Sequence, residues 1–170
     1  HYVQHTYNDH SQDTPSSEDE YKLLLRSSQT DAEYNYEPIA FKKCGPATKF
    51  PVKLHELLEN AEVCGFSDVV SWKIHGRAFS VHNVQEFSKS IMPLYFNQRK
   101  ITSFFRQLNL YGFKRITQGH DKGAYYHELF LRGKQFLTSR ILRLKVKGTM
   151  VKGLPNPDAE PNFYSMPYVT

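Results

Sequence analysis

Apolar residues recur at helical spacing in three stretches of the chain and alternate in two others, and their order predicts an architecture. In KFPVKLHELLENAE, Phe50, Leu54, Leu57 and Leu58 fall at i, i+4, i+7 and i+8. Pro51 suits a first helical turn, where its missing N–H is no loss, and Gly65 follows as a stop. VVSWKIHGRAFSVH then alternates, with Val70, Trp72 and Ile74 on one face and Phe79 and Val81 resuming it after a turn at His75–Gly76; this predicts a β-hairpin. Asn83 stands three residues before Glu86, an N-cap and capping box, and Phe87, Ile91, Leu94 and Tyr95 follow as a second helical stripe. Pro93 interrupts that stripe, removes one hydrogen bond and predicts a kink. After a turn at FNQRK comes ITSFFRQLNLYGFKRI, whose Ile101, Phe104, Phe105 and Leu108 form a third stripe ending at Gly112. FKRITQ and AYYHELFL read as two further strands joined by the glycine-bounded loop GHDKG.

Helix, hairpin, helix, turn, helix and two strands is the order of an α+β winged helix-turn-helix, three helices packed on a small antiparallel β-sheet. The pattern divides the chain into three parts. Residues 1–48 are polar and acidic without period, apart from a short apolar island at YKLLLRS, and are expected to be disordered. Residues 49–136 hold the patterned domain. Residues 137–170 are expected to be a short basic helix or linker followed by an irregular tail: Leu137, Ile141 and Leu144 keep a helical spacing that stops at Gly148, too short for a coiled coil.

Charge changes the picture more than composition does. The first 38 residues set Lys22 and Arg26 against eight acids, whereas residues 99–147 set twelve Lys or Arg against Asp121 and Glu128, a net of +10. A basic block within a patterned domain points to a polyanion, nucleic acid being the commonest. The third helix agrees. Opposite its apolar stripe lie Arg99, Ser103, Arg106 and Leu110, flanked by Gln107 and Asn109, a side poor in acids and rich in groups that reach and hydrogen-bond. Cys44 and Cys64 form no C-x-x-C pair and suit a reducing compartment without a disulfide framework. The eight His show no ligand spacing, so no metal is expected, and no cofactor either. No run reaches the length of a membrane span and no signal-peptide core is present, which reads as an intracellular, soluble chain; its start at His1 reads as a fragment.

FPVKLHELLE, SWKIHGRAFSVHNVQEFSKSIMPLYFNQRKITSFFRQLNLYGFKRI and HELFLRG, taken together, resemble the DNA-binding domain of heat shock factors over about residues 50–136. SFFRQLNLYGFKR is the most specific piece, close to the family signature S-F-x-R-Q-L-N-x-Y-G-F. The resemblance implies that the third helix enters the major groove of double-stranded DNA carrying inverted nGAAn repeats. Arg106 would read the guanine, since Arg bonds bidentately to its O6 and N7. Ser103, Gln107 and Asn109 are further base-reading candidates, Asn109 equally well placed to bond the domain's own backbone. Arg99, Lys100, Lys114 and Arg115, with Lys73, are the phosphate candidates. Lys114 and Arg115 are neighbours on a strand, so they point to opposite faces and only one reaches DNA; the resemblance favours Arg115. It also implies a nuclear location and a stress-response role.

Three departures from the family stand out. The turn before the third helix reads NQRK at 97–100 where the family has Lys-His-Asn-Asn, and the wing QGHDKGA is shorter, which bears on cooperative packing of neighbouring domains. The family's trimerising heptads are missing from 134–170, although a homo-oligomer stays open. Two other function classes compete with a sequence-specific transcription factor: a winged-helix module that docks proteins, and a non-specific architectural DNA binder. Large apolar residues would be expected on a protein-docking face, and Leu110 alone meets that description. A catalytic role finds no nucleophile elbow, phosphate loop or paired-acid motif to support it.

Overall fold

A computed structural model describes residues 7–21, 49–144 and 157–170. Helix α1 (Phe50–Cys64) leads into the hairpin β1 (Val70–Trp72) and β2 (Ala78–Val81). Helix α2 is composite, Val84–Glu86, a π-helical turn Phe87–Ile91, then Met92–Tyr95. Helix α3 (Ile101–Leu110) precedes β3 (Lys114–Arg115), the wing, β4 (Tyr125–Tyr126) and the short α4 (Gln135–Thr138). The four strands are antiparallel in the order β1-β2-β4-β3.

Local chemistry accounts for most element boundaries. Pro51 sits in the first turn of α1, and Gly65 closes it at φ 81° while Phe66 N–H reaches back to the Ala61 carbonyl at 3.0 Å. The Asn83 side chain accepts from Glu86 N–H at 3.1 Å, the expected N-cap. The kink expected at Pro93 takes the form of the π turn: the residues just before the proline widen to i→i+5 bonding, with Met92 N–H on the Phe87 carbonyl. Gly112, at φ 78°, ends α3 with Phe113 N–H bonded to the Leu108 carbonyl at 3.0 Å, a Schellman closure.

The sheet's inner face and the three helices enclose the core. Phe50, Leu54, Leu57, Leu58, Trp72, Phe79, Phe87, Phe96, Phe104, Leu108, Phe113 and Phe130 are all buried in it. The strand face assigned to Ile74 is not kept, because β1 stops at Trp72 and Ile74 stands 68% exposed in the turn. β3 and β4 are two residues each, shorter than FKRITQ and AYYHELFL suggested: Ile116 still bonds Ala124 and Gly123 through its backbone, and from Thr117 the chain turns into the wing.

The outer face departs furthest from expectation. Ala78, Ile116, Ala124 and Tyr126 form a second cluster there with Phe163 from the C-terminal segment and Tyr7 from the N-terminal one. Residues 7–21, expected to be disordered with the rest of 1–48, are fixed by specific contacts, because basic groups on the domain attract their acids. Asp9 pairs with Arg77 at 2.8 Å, Asp19 with Arg140 at 2.8 Å, and Asn8 N–H donates to Glu128 at 3.1 Å. Residues 22–48, with the apolar island beyond Tyr21, lie outside the described residues, as do 145–156 with the end of the basic spacing. The domain also runs past 136: Ile141 is buried in the main core and Leu144 N–H donates to the Leu110 carbonyl at 2.7 Å.

Candidate nucleic-acid interface

Helix α3 owes its orientation to its aromatic side. Phe104 is fully buried against Phe87, with ring centroids 4.9 Å apart, and against Phe50 at 5.7 Å. Phe105 stacks on Tyr125 of β4 at 5.7 Å and 19° between planes, tying the helix to the wing-bearing strand. With Phe104 and Leu108 fixed inward, helical geometry turns Thr102, Arg106 and Asn109 outward, at i, i+4 and i+7, and all three are exposed. Ser103 and Gln107 are half-buried beside that stripe. Thr102 was not singled out from sequence, although its spacing from Arg106 would have placed it on this face. Leu110 is half-buried, its carbonyl taken by Leu144.

The N-terminal end of α3 is capped by no side chain, and the N-cap position is Lys100. Its first amide groups, with exposed Arg99 and Lys100 beside them, make an anion-attracting end. Among the described residues, no ion pair engages Arg99, Lys100, Arg106 or Arg115. Their charge is therefore available.

The sheet register separates the remaining candidates. Arg115 lies opposite Tyr125, and Tyr125 opposite Phe79, so Arg115 is on the face that carries α3. Lys114 lies opposite Tyr126, and Tyr126 opposite Ala78, on the outer face. Burial there pushes the Lys114 ammonium below its ordinary range, partly offset by Glu128. Lys73 is likewise drawn away, its Nζ 3.9 Å from Asp121 beneath the wing. The structure thus groups Arg99, Lys100, Ser103, Arg106, Gln107, Asn109 and Arg115 on one side of the domain and leaves Lys114 and Lys73 off it. Among the described residues, no three His, Cys, Asp or Glu cluster as a metal site, and no helix is long and apolar enough to cross a membrane.

The model of the HSF-type DNA-binding domain matches residues 50–144. The chain belongs to that family. The match includes α1–α3, all four strands and the wing, and with it comes the family's non-enzymatic character. Heat shock factor protein HSF24 of Solanum peruvianum is 38% identical over 96 residues, 56% of this chain and 30% of the relative. Heat stress transcription factor A-1e of Arabidopsis thaliana is 42% identical over 78 residues, 46% of this chain and 16% of the relative. The chain thus spans about a third or less of the length of such relatives. Crystal structures of Chaetomium thermophilum Skn7 with SSRE DNA and with HSE DNA superpose with TM-scores of 0.51 and 0.50, at 29% and 31% identity. They cover 57% and 56% of this HSF-type chain and 100% of the Skn7 chains.

Proposed function

We propose that this HSF-type domain is the DNA-reading part of a nuclear, sequence-specific transcription factor. Its α3 lies in the major groove of heat shock elements built from inverted nGAAn units. The carrying observation is the exposed, unpaired Arg106 in the middle of a helix face free of acids, with bases at the helix start and Arg115 on the same side. The Skn7 structure with HSE DNA supports the element assignment.

Arg106 supplies base reading, with Thr102, Ser103, Gln107 and Asn109 around it; Arg99, Lys100 and Arg115 supply phosphate contacts that fix register. The test is a fluorescence-anisotropy titration of wild type, Arg106→Ala and Lys100→Ala on an inverted nGAAn duplex and a scrambled one, at several salt concentrations. Arg106→Ala is expected to lose about 1–3 kcal/mol of preference for the nGAAn duplex, whereas Lys100→Ala weakens both duplexes alike. Equal binding of both duplexes by the wild type would leave only an architectural or protein-docking role.

A further inference from the structure

The segment 158–170 lies beyond the family-matched range, yet it touches both limbs of the wing. On the outgoing limb, Thr117 N–H donates to Glu160 at 2.8 Å, and the Thr117 hydroxyl donates to the same oxygen. On the return limb, the Asp121 carboxylate accepts from Tyr164 OH at 2.8 Å and bonds His75 Nε2 at 2.7 Å. Arg77 N–H donates to His75 Nδ1 at 3.0 Å, so the ring is the tautomer that donates to Asp121 through Nε2. Asp121 in turn holds the start of the return limb. Ala124 N–H donates to the Asp121 carbonyl at 2.9 Å and Gly123 N–H to the Ile116 carbonyl at 2.8 Å.

The segment is itself anchored independently of the wing. Phe163 is 2% exposed in the outer cluster. The Pro167 carbonyl accepts from Arg77 at 2.9 Å, and Val169 N–H donates to the His75 carbonyl at 2.9 Å. Two glycines make room for its end. A Cβ at Gly76 would collide with the Val169 carbonyl, and one at Gly133 would lie 2.7 Å from the Thr170 carbonyl oxygen. The wing's return limb also flanks a DNA candidate, since a Cβ at Gly123 would lie 3.8 Å from Arg115 Nη2.

We propose that residues 158–170 are a latch that seats the wing against the sheet and thereby places Arg115 on the DNA phosphate backbone, with Glu160 and Tyr164 as positioning residues. The inference rests on the DNA-reading function proposed above. It makes the working domain longer than its family-matched part: the wing, six residues from Thr117 to Lys122 between its two ladder ends, is held by a segment more than thirty residues further along. Arg115 binds as a pre-placed group, so less side-chain freedom is lost on contact.

The test uses the full chain with the double variant Glu160→Ala/Tyr164→Phe, which keeps Phe163, Pro167 and Val169 in place. Amide hydrogen exchange over 117–124 is expected to rise about tenfold or more while α1 and α3 stay protected, because only a local opening has been eased. Affinity for the nGAAn duplex is expected to fall about fivefold with the preference over scrambled DNA retained, the signature of a weakened phosphate contact. Arg115→Ala should weaken binding in the wild type yet add little in the double variant, since coupled residues are non-additive. Unchanged wing exchange, or an Arg115→Ala effect of equal size in both backgrounds, overturns the latch. A wild type that binds no duplex overturns the DNA reading and Arg115's role with it, and the exchange result still reports on the wing's seat.

Discussion

Arg106 and Arg77 carry the same guanidinium and stand in opposite circumstances. Arg106 is exposed on α3 with no ion-pair partner among the described residues, while Arg77 is fully buried and bonds Asp9, Tyr7 and the Pro167 carbonyl. The first has no ion-pair partner among the described residues; the second has its ligands within the chain. An Arg in a basic domain is thus no measure of nucleic-acid contact until its burial and partners are known. The +10 block of residues 99–147 likewise includes Arg132, paired with Glu62, and Arg140, paired with Asp19.

The comparison can be broken most severely at Arg77. Arg77→Met should cost roughly 2–4 kcal/mol of stability, since it leaves the Pro167 carbonyl without its donor and removes one anchor from each flanking segment. Arg106→Ala should stay within about 0.5 kcal/mol of the wild type in the same urea titration, as a partnerless surface change. Equal losses for the two would erase the distinction.

Acid sharpens it next. Burial depresses His75, and it pushes His127 down to about 4, so both are neutral when folded. The unfolded chain binds their protons first, near the ordinary histidine pKa of about 6.5, so stability is full above that pH and declines as pH falls towards 4. Asp9, held by the Arg77 hydrogen bond, and Asp19, held by Ser16, are lowered to about 2. Their contribution is present above the ordinary aspartate range and is lost as pH falls through it towards 2. Thermal midpoints measured from pH 7 to 2 should show these two declines in that order. Arg77→Met should blunt the lower one; an unaltered lower decline would count against the Asp9 pairing. The smallest effect is expected at Asn83: Asn83→Ala removes one exposed cap and should cost about 1 kcal/mol in urea unfolding, without touching DNA preference.

The inner face of the sheet was legible because its information is local. Phe50 to Leu58, Phe87 to Tyr95 and Ile101 to Leu108 announce their burial by period, and Asn83, Gly65 and Gly112 punctuate them. Arg106 was legible for the same reason, as what remains outward once Phe104 and Leu108 are inward. The outer face has no such period. Arg77 finds Asp9 and Pro167 at separations of 68 and 90 residues, and Tyr7 meets Phe163 with ring centroids 5.2 Å apart. Nothing in a polar acidic stretch or in PNPDAEPNF states that such partners exist. The position of Lys73, away from the other phosphate candidates, was hidden for a related reason, whereas alternation had already set Lys114 and Arg115 on opposite faces. Alternation says which residues share a face, but the face covered by the flanking segments is known only once those segments are placed.

Convergence of Asp9 and Pro167 on one guanidinium also has a mechanical side. The segment entering the domain and the one leaving it run to the same spot, so the helices and sheet hang from the chain as a closed loop. Tension along the polypeptide would meet this cluster, with Asn8–Glu128 and Val169–His75 beside it, before it reached the helices. Arg77 and its neighbours would thus act as a fuse between the flanking segments and α1–α3.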